Sequence, residues 1–308
     1  MLKSLTRRCM LSSGLAAVGL ALATPQASFA ASDQLTFQAL TFDDGAIVAA
    51  LDDGLWRVAD TGATPLSDPG AVVSLTSHPE RPGTLYAALR DGGLRRSTDG
   101  GESWTKADKG LPASPVLSVT MAAQAPDMLY AVLAGDGLWR SEDAGETWTF
   151  VMDRPYLDGA EHDVLSLVSV ASQTGMGGIW LYAGTAAGLT RVPDCFCRWQ
   201  DVTAGDALDA LAAGKTPAPT ASLPAGVPVR NLGLANAAPD QIYAGLETGL
   251  WASTDAGVDW ALMSSEPVAA LAVDPTNPLH VVAARPDGLS DTRDGGASWS
   301  LLTFTKEN

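Results

Sequence analysis

A twelve-residue phrase built on a Gly-Leu pair, an Asp and a Trp recurs along this chain. Four copies stand in good register: "GLRRSTDGGESW" (Gly93–Trp104), "GLWRSEDAGETW" (Gly137–Trp148), "GLWASTDAGVDW" (Gly249–Trp260) and "GLSDTRDGGASW" (Gly288–Trp299). Two eroded copies fit without gaps. "GLWRVADTGATP" from Gly54 keeps Asp60 and Gly62, and "GLTRVPDCFCRW" from Gly188 keeps Asp194 and Trp199. Self-similarity of this kind marks a stack or ring of like units, each too small to bury its own apolar face.

Each copy follows a short β-type run: "AIVAAL", "TLYAAL", "MLYAVL", "WLYAGT", "QIYAGL" and "HVVAAR". Before most of these lies another apolar run, such as "VVSLTSH" or "VLSVTMA", and after some Trp residues comes a further one, "TFVM" or "SLLTF". The unit is therefore four short antiparallel strands joined by tight turns, about 40 residues long, the size of a propeller blade. Asp60, Asp99, Asp143, Asp194, Asp255 and Asp294 mark six units at spacings of 39, 44, 51, 61 and 39 residues. The wider spacings place insertions at about 152–164 and 203–227. The expected fold is all-β: a six-bladed β-propeller of four-stranded antiparallel blades over about residues 34–305, with seven blades as the alternative. Residues 31–308 then form one domain, closed by "LTFQALTF" pairing near "SLLTF". Only 206–213 shows a weak helical period.

Within a copy, Asp99 can fold its carboxylate onto the N–H groups of its own turn, and Ser97 can hydrogen-bond inside the same hairpin. Gly101 can take the positive φ the turn requires, while Trp104 packs between neighbouring blades. The same roles fall to Ser141, Asp143, Gly145 and Trp148, to Ser253, Asp255, Gly257 and Trp260, and to Thr292, Asp294, Gly296 and Trp299. Asp194 and Trp199 keep part of the pattern. A calcium loop needs more oxygen ligands than one Asp per turn supplies, so these turns read as structural. The Ser/Thr-x-Asp-x-Gly-x-x-Trp pattern resembles the Asp-box, or BNR repeat, of sialidase-like and photosystem II assembly factor-like β-propellers. The resemblance runs over nearly all of the chain after its signal. It implies the fold, and hosts of very different function share it.

The N-terminus reads as a cleavable export signal over residues 1–30. Lys3, Arg7 and Arg8 precede an apolar stretch from Leu11 to Ala23, and Ser28-Phe29-Ala30 offers a cleavage site after about Ala30. Thr6-Arg7-Arg8-Cys9-Met10-Leu11 and the Gly-diluted apolar core suggest the twin-arginine type, with an ordinary Sec signal as the alternative. No other run is long enough to span a bilayer as a helix. The mature chain is therefore expected in the periplasm, as a monomer. The signal takes three of the 19 basic residues and none of the 35 acidic ones, which leaves a net charge of −19. That charge argues against nucleic acid and anionic membranes as partners.

After cleavage only Cys195 and Cys197 remain, in the copy that lost its glycines. They can form a disulfide, hold a soft metal such as Cu(I), or reflect drift of a degenerate repeat. No other cofactor is expected.

In a propeller the repeated turns share one face. The opposite face carries the loops between second and third strands and the links between blades. That face should receive Asp52, Asp53, Asp91, Asp136, Glu247 and Asp287. It also receives the link "MDRPYLDGAEHDV", which holds Asp153, Arg154, Tyr156, Asp158, Glu161, His162 and Asp163. Carboxylates this dense around one His suit a divalent cation or acid–base chemistry, or simply a solvated loop. The second link is Pro/Ala/Thr-rich and reads as extended.

The sialidase set of three Arg and a Tyr–Glu pair finds no match. The first Arg after the signal is Arg57, Arg95, Arg96 and Arg140 fill repeat positions, and Tyr86, Tyr130, Tyr182 and Tyr243 share one strand site. A hydrolase of neutral polysaccharides would need two carboxylates across a groove, with Asp52, Asp53, Asp158 and Glu161 as candidates. No nucleophile elbow, zinc motif or phosphate loop is present. The non-catalytic branch of the resemblance binds a partner protein through a basic patch that this acidic chain does not share. The reading is a recognition propeller for a periplasmic or membrane-complex protein. A glycoside hydrolase acting on carbohydrate at the same face is the alternative.

Overall fold

The structure, a computed structural model, describes residues 35–306 except 60–61, 173, 175–177, 204–211 and 215–220. The expected export signal, Asp60 and most of the expected helical turn at 206–213 lie outside the described residues. Six four-stranded antiparallel sheets follow one another along the chain, each in simple sequential order, and form a six-bladed propeller. Blade one is β1–β4 (Phe37–Asp43, Ala46–Leu51, Gly54–Ala59, Gly62–Pro65), and blade two is β5–β8 (Val72–Ser77, Leu85–Leu89, Leu94–Ser97, Thr105–Lys106). Blade three is β9–β12 (Val116–Ala122, Ala125–Leu133, Gly137–Ser141, Thr149–Asp153). A small hairpin, β13 and β14 (Tyr156–Leu157, Ala160–Glu161), leads to blade four, β15–β18 (Val164–Val170, Trp180–Thr185, Gly188–Pro193, Gln200–Asp201). Blade five is β19–β22 (Asn231–Leu234, Ile242–Leu246, Gly249–Ser253, Ala261–Ser264), and blade six is β23–β26 (Ala270–Asp274, Asn277–Arg285, Gly288–Thr292, Ser300–Leu301).

The second strands carry apolar runs because each is covered on both faces by neighbouring blades. "LYAAL", "WLYAGT" and "IYAGL" are buried at every residue. The apolar core lies between blades rather than inside any one of them. Six clusters of buried side chains each join two consecutive blades, the last joining blade six to blade one through Ala270, Val282 and Leu289 against Phe37 and Ile47.

The repeated turns are clasped alike in four blades. Ser97 Oγ donates to Asp99 Oδ1 at 2.7 Å and accepts the Gly101 N–H at 2.8 Å. Asp99 then accepts the Ser103 N–H at 2.9 Å and the Ser103 hydroxyl at 2.6 Å. Ser141, Asp143, Gly145 and Thr147 repeat the set, as do Thr292, Asp294, Gly296 and Ser298. In blade five Asp259 stands where the last hydroxyl would be, and only its N–H reaches Asp255. The turn needs left-handed backbone: Gly145 has φ +86°, and a Cβ there would meet Tyr86 Cε1 at 3.2 Å. Small size and positive φ together specify Gly.

The turns also tie blade to blade. Tyr86 of blade two donates its hydroxyl to Ala144 O in the turn of blade three at 2.7 Å, and Tyr182 of blade four does the same to Ala256 O of blade five at 2.8 Å. Burial pushes the Tyr86 phenol up to about 12, which keeps it a donor. Blade one has Val48 at the Tyr site, and Arg57 takes over: its guanidinium donates to Gly100 O at 2.8 Å and pairs with buried Asp43 at 2.9 Å. The Trp of each turn packs toward the preceding blade, with Trp104 Nε1 donating to Ser67 O at 3.1 Å and Trp148 Nε1 to Ala107 O at 2.8 Å.

Ring closure differs from the sequence expectation. "LTFQALTF" supplies β1, which pairs with β2, and β26 pairs with β25. The ends meet one step further out: Ala63 of β4 forms a parallel bridge to Lys306 and donates its N–H to Thr305 O at 2.9 Å. Phe304 sits edge-on to Phe37 at 5.5 Å and to Trp56 at 6.1 Å, and Lys306 pairs with Asp53. The terminal segment thus adds to the outer edge of blade one.

The clasps predict an acid-sensitive ring. The hydroxyls of Ser103, Thr147 and Ser298 lead in holding Asp99, Asp143 and Asp294 down at about 2, against an ordinary value of 3.8. A depressed carboxylate contributes stability above its unfolded value and loses it as pH falls through its folded one. The contribution is therefore complete above about pH 4 and gone near pH 2. The thermal midpoint should fall steeply over that window, and the triple variant D99N/D143N/D294N should start lower and lose that pH dependence.

Candidate functional site

The sequence candidates lie on the second-to-third-strand turns and the link after blade three, at the end opposite the clasped turns, and the structure pairs some of them and leaves others apart. On blade one, Gln38 Nε2 donates to Asp52 Oδ1 at 2.9 Å while its Oε1 accepts from Arg90 of blade two at 3.1 Å. Asp53 is held by Lys306, whose hydrogen bond and charge lower its carboxyl below the usual range. On blade three, Asp136 accepts from Trp139 Nε1 at 3.0 Å within its own hairpin. Asp91, Glu247 and Asp287 sit exposed at the tips of separate second-to-third-strand turns, and the structure does not bring them together.

The link after blade three folds as a braced hairpin rather than an open loop. Asp158 and Gly159 take φ +49° and +85°, the paired left-handed residues that a tight two-residue turn requires. Arg154 organises the base, donating to Glu161 Oε2 at 2.6 Å and Asp163 Oδ1 at 3.2 Å. Asp163 Oδ1 also accepts the Gly135 N–H from the adjoining blade-three turn at 2.9 Å. His162 Nε2 lies 3.2 Å from Leu157 O, so this ring is spent on a backbone bond. Asp153 is exposed, and its carbonyl accepts from Trp199 Nε1 at 2.8 Å. Tyr156 stands 68% exposed on the hairpin, anchored only through its hydroxyl to Gly159 O at 2.8 Å. A cation or acid–base role at Glu161, His162 and Asp163 would have to displace this internal pairing.

Cys195 and Cys197 are joined as a disulfide. Joined in this way the sulfurs offer no thiolate, so a soft-metal site there, such as one for Cu(I), would need the bond reduced first. Phe196 between them takes φ +53° and turns toward blade three, edge-on to Tyr130 at 6.0 Å with Arg140 Cζ 5.4 Å from its ring centre. The eroded turn therefore fills its seam with Phe where other copies use Gly and a Tyr-to-carbonyl bond. Among the described residues no group of three or more His, Cys, Asp or Glu can hold a metal ion.

Two features were not singled out from the sequence. The first is the central channel. First strands leave one edge unpaired along the axis, and hydroxyls of neighbouring blades satisfy it. The Val119 N–H goes to Ser74 Oγ at 3.2 Å, Met121 N–H to Thr76 Oγ1 at 3.3 Å, Leu167 N–H to Ser118 Oγ at 3.1 Å and Ala123 N–H to Ser169 Oγ at 2.9 Å. The signal was present as alternating Ser and Thr in "VVSLTSH" and "VLSVTMA". At the clasped-turn end of the channel, buried His78 reaches Ala123 O and Asn236, each at 3.2 Å, across 158 positions of sequence. The second feature lies between blades six and one, where buried His280 places Nδ1 3.1 Å from Asp274 Oδ2 and Nε2 3.7 Å from Asp291 Oδ2. Its sequence signal was negative: the repeat's Tyr and Trp are both missing at that seam.

No protein-family model and no curated protein matches this chain. Its shape does match solved structures. The GH74 xyloglucanase from Xanthomonas campestris superposes with a TM-score of 0.57 at 16% identity over 88% of this chain. This chain spans about half that enzyme, covering 55% of its length. The extracellular domain of the one-component system BT4673 from B. thetaiotaomicron gives 0.54 at 14% identity, with 83% of this chain and 32% of that one covered. YCF48 bound to a D1 peptide gives 0.50 at 16% identity, with 87% and 82% covered. At such identities the likeness establishes the propeller fold.

The hydroxyl ladder carries a stability prediction. Ser118→Ala leaves the buried Leu167 N–H without its acceptor and should cost about 1–3 kcal/mol in urea unfolding. Ser103→Ala, on an exposed turn, should cost less, about 0.5–1.5 kcal/mol.

Proposed function

We propose that the mature chain is an exported, non-catalytic propeller that binds a protein partner on the face carrying the blade-three link. The observation that carries this reading is the Arg154-braced hairpin. It is held at its base by Glu161 and Asp163 and presents Tyr156 at 68% exposure. A rigid, exposed aromatic loses little conformational freedom on docking and is the residue type that dominates protein interfaces. Exposed Asp158 on the hairpin, with Asp91, Glu247 and Asp287 exposed on separate turns of the same face, favours a partner with a basic surface. The state of the candidate catalytic acids also supports binding over hydrolysis. Asp52, Asp53 and Glu161 are engaged by Gln38, Lys306 and Arg154, and Asp158 serves a turn. Among propellers of this shape, YCF48 has been solved with a D1 peptide bound, and it is nearly covered by this chain, whereas the xyloglucanase extends to about twice the length. Export rests on the twin-arginine-type signal at 1–30, and the periplasm is the compartment we assign.

The exported protein, immobilised and exposed to periplasmic extract, should retain a specific basic protein that Tyr156→Ala releases by at least about tenfold in affinity. The reading is contradicted by turnover of soluble polysaccharides that Asp52→Asn or Glu161→Gln abolishes.

A further inference from the structure

The seam between blades six and one is built differently from the other five. Each of those carries the repeat's Trp: Trp104, Trp148, Trp199, Trp260 and Trp299 belong to the clusters joining successive blades from one to six. At the sixth seam Pro65 occupies the Trp position and Val282 the site that Tyr holds in blades two to five. Asp291 stands where blades one to four place Arg57, Arg96, Arg140 and Arg191. Losing two aromatic rings leaves space, and the structure has a cavity of about 460 Å³ there, on the clasped-turn face. That lies within the range of small-molecule sites, roughly 300–1,000 Å³.

Phe42, Ile47, Val58 and Leu302 wall the cavity, and Asp44 and Arg293 stand exposed at its rim. Two polar groups face it from depth: His280 is 7% exposed and Asp291 8%. Among the described residues Asp291 accepts one hydrogen bond to its side chain, from Arg293 Nε at 3.3 Å, and that Arg is itself 68% exposed. A buried carboxylate has room for several donors and is costly to leave short of them. His280 is oriented by Asp274, which takes the Nδ1 proton and is fixed in turn by the N–H and hydroxyl of Thr276 at 2.9 and 2.8 Å. In the tautomer that donates Nδ1–H to Asp274, Nε2 is an acceptor facing the cavity, and Asp291 Oδ2 lies 3.7 Å away, beyond hydrogen-bonding distance. Among the described residues the cavity thus sets a buried carboxylate beside a buried imidazole nitrogen, next to apolar side chains and with no buried Lys or Arg in the lining. Asp44, Asp274 and Asp291 outnumber Arg293, so the local charge is negative.

We propose that this cavity binds a primary ammonium compound with a short apolar body. The ammonium has three N–H donors and no acceptor, which matches Asp291 and His280 Nε2, and its charge strengthens both bonds. The hydrocarbon portion takes the volume left by the missing Trp and Tyr, against Phe42, Ile47, Val58 and Leu302. An anion would meet the carboxylates, and a metal ion would find, among the described residues, only His280 and Asp291 at depth, with Asp44 out at the rim.

The test uses hexylammonium chloride at pH 8, with calorimetric titration of the exported protein and the His280 ring resonances as a site-specific readout. Hexylammonium should bind and shift those resonances, while hexanol and hexanoate should bind at least about tenfold more weakly. Asp291→Asn should weaken hexylammonium at least about tenfold while still unfolding cooperatively. Val282→Tyr, which restores the ring that Tyr86 supplies in blade two, should exclude the ligand; if that variant does not fold, Asp291→Asn decides. The proposal is overturned if hexanol or hexanoate binds as tightly as the amine, if Asp291→Asn binds like wild type, or if hexylammonium fails to bind at about 10 mM.

Discussion

Everything in this molecule depends on how one blade grips the next. A four-stranded blade of this size has apolar side chains on both faces and cannot bury them alone, so the stable object is the ring. The grip has two halves. One is the clasped turn, where a Ser or Thr hydroxyl and an Asp carboxylate satisfy the turn's own N–H groups and free its carbonyl to face backward. The other is the phenol of the preceding blade, which donates to that carbonyl, as Tyr86 does to Ala144 O and Tyr182 to Ala256 O. Each half is useless without the other: an unclasped turn would not hold its carbonyl in place, and a buried phenol without an acceptor would be costly.

The exceptions show that the requirement is for the bond rather than for a particular residue. Blade one lacks the Tyr, and the Arg57 guanidinium crosses the seam to Gly100 O while Asp43 balances its charge. Blade four lacks the glycines, and Phe196, held between Cys195 and Cys197, fills the seam with a ring. The seam between blades six and one lacks the repeat's Tyr and Trp, with Val282 and Pro65 in their places. There the terminal segment closes the outer edge through Ala63, Thr305 and Lys306, and the inner part is left as the cavity that holds His280 and Asp291.

The number of blades and the strand runs were legible because both are periodic. A pattern repeated six times is hard to misread, and the runs "AIVAAL", "VLSVTMA" and "VLSLVSV" coincide with β2, β9 and β15 residue for residue. What escaped the sequence is what periodicity cannot encode. The pairing of Arg154 with both Glu161 and Asp163 depends on how a short hairpin bends. The meeting of His78 with Asn236 depends on the ring being closed. His280 is instructive because it sits inside a recognised strand, "HVVAAR", and looks like an ordinary strand residue. Only the absence of Tyr and Trp at the same seam makes it face a cavity, and an absence is visible only once the other five seams are known. Ring closure failed to follow from the strand list for a similar reason: Thr305 and Lys306 contribute through one bridge, too little pattern to register.

The central claim is that the clasped turns lock the seams they serve, while the seam between blades six and one, without the repeat's Tyr and Trp, leans on the terminal segment beside its apolar cluster. Hydrogen exchange of backbone amides measures the opening of each seam separately. The clasp amides of Gly101, Gly145, Gly257 and Gly296 should exchange slowly and together, while Ala63, bonded to Thr305, should exchange first under native conditions. If Ala63 proves as protected as the clasp amides, or if another seam opens before it, the account of how this ring is held is wrong.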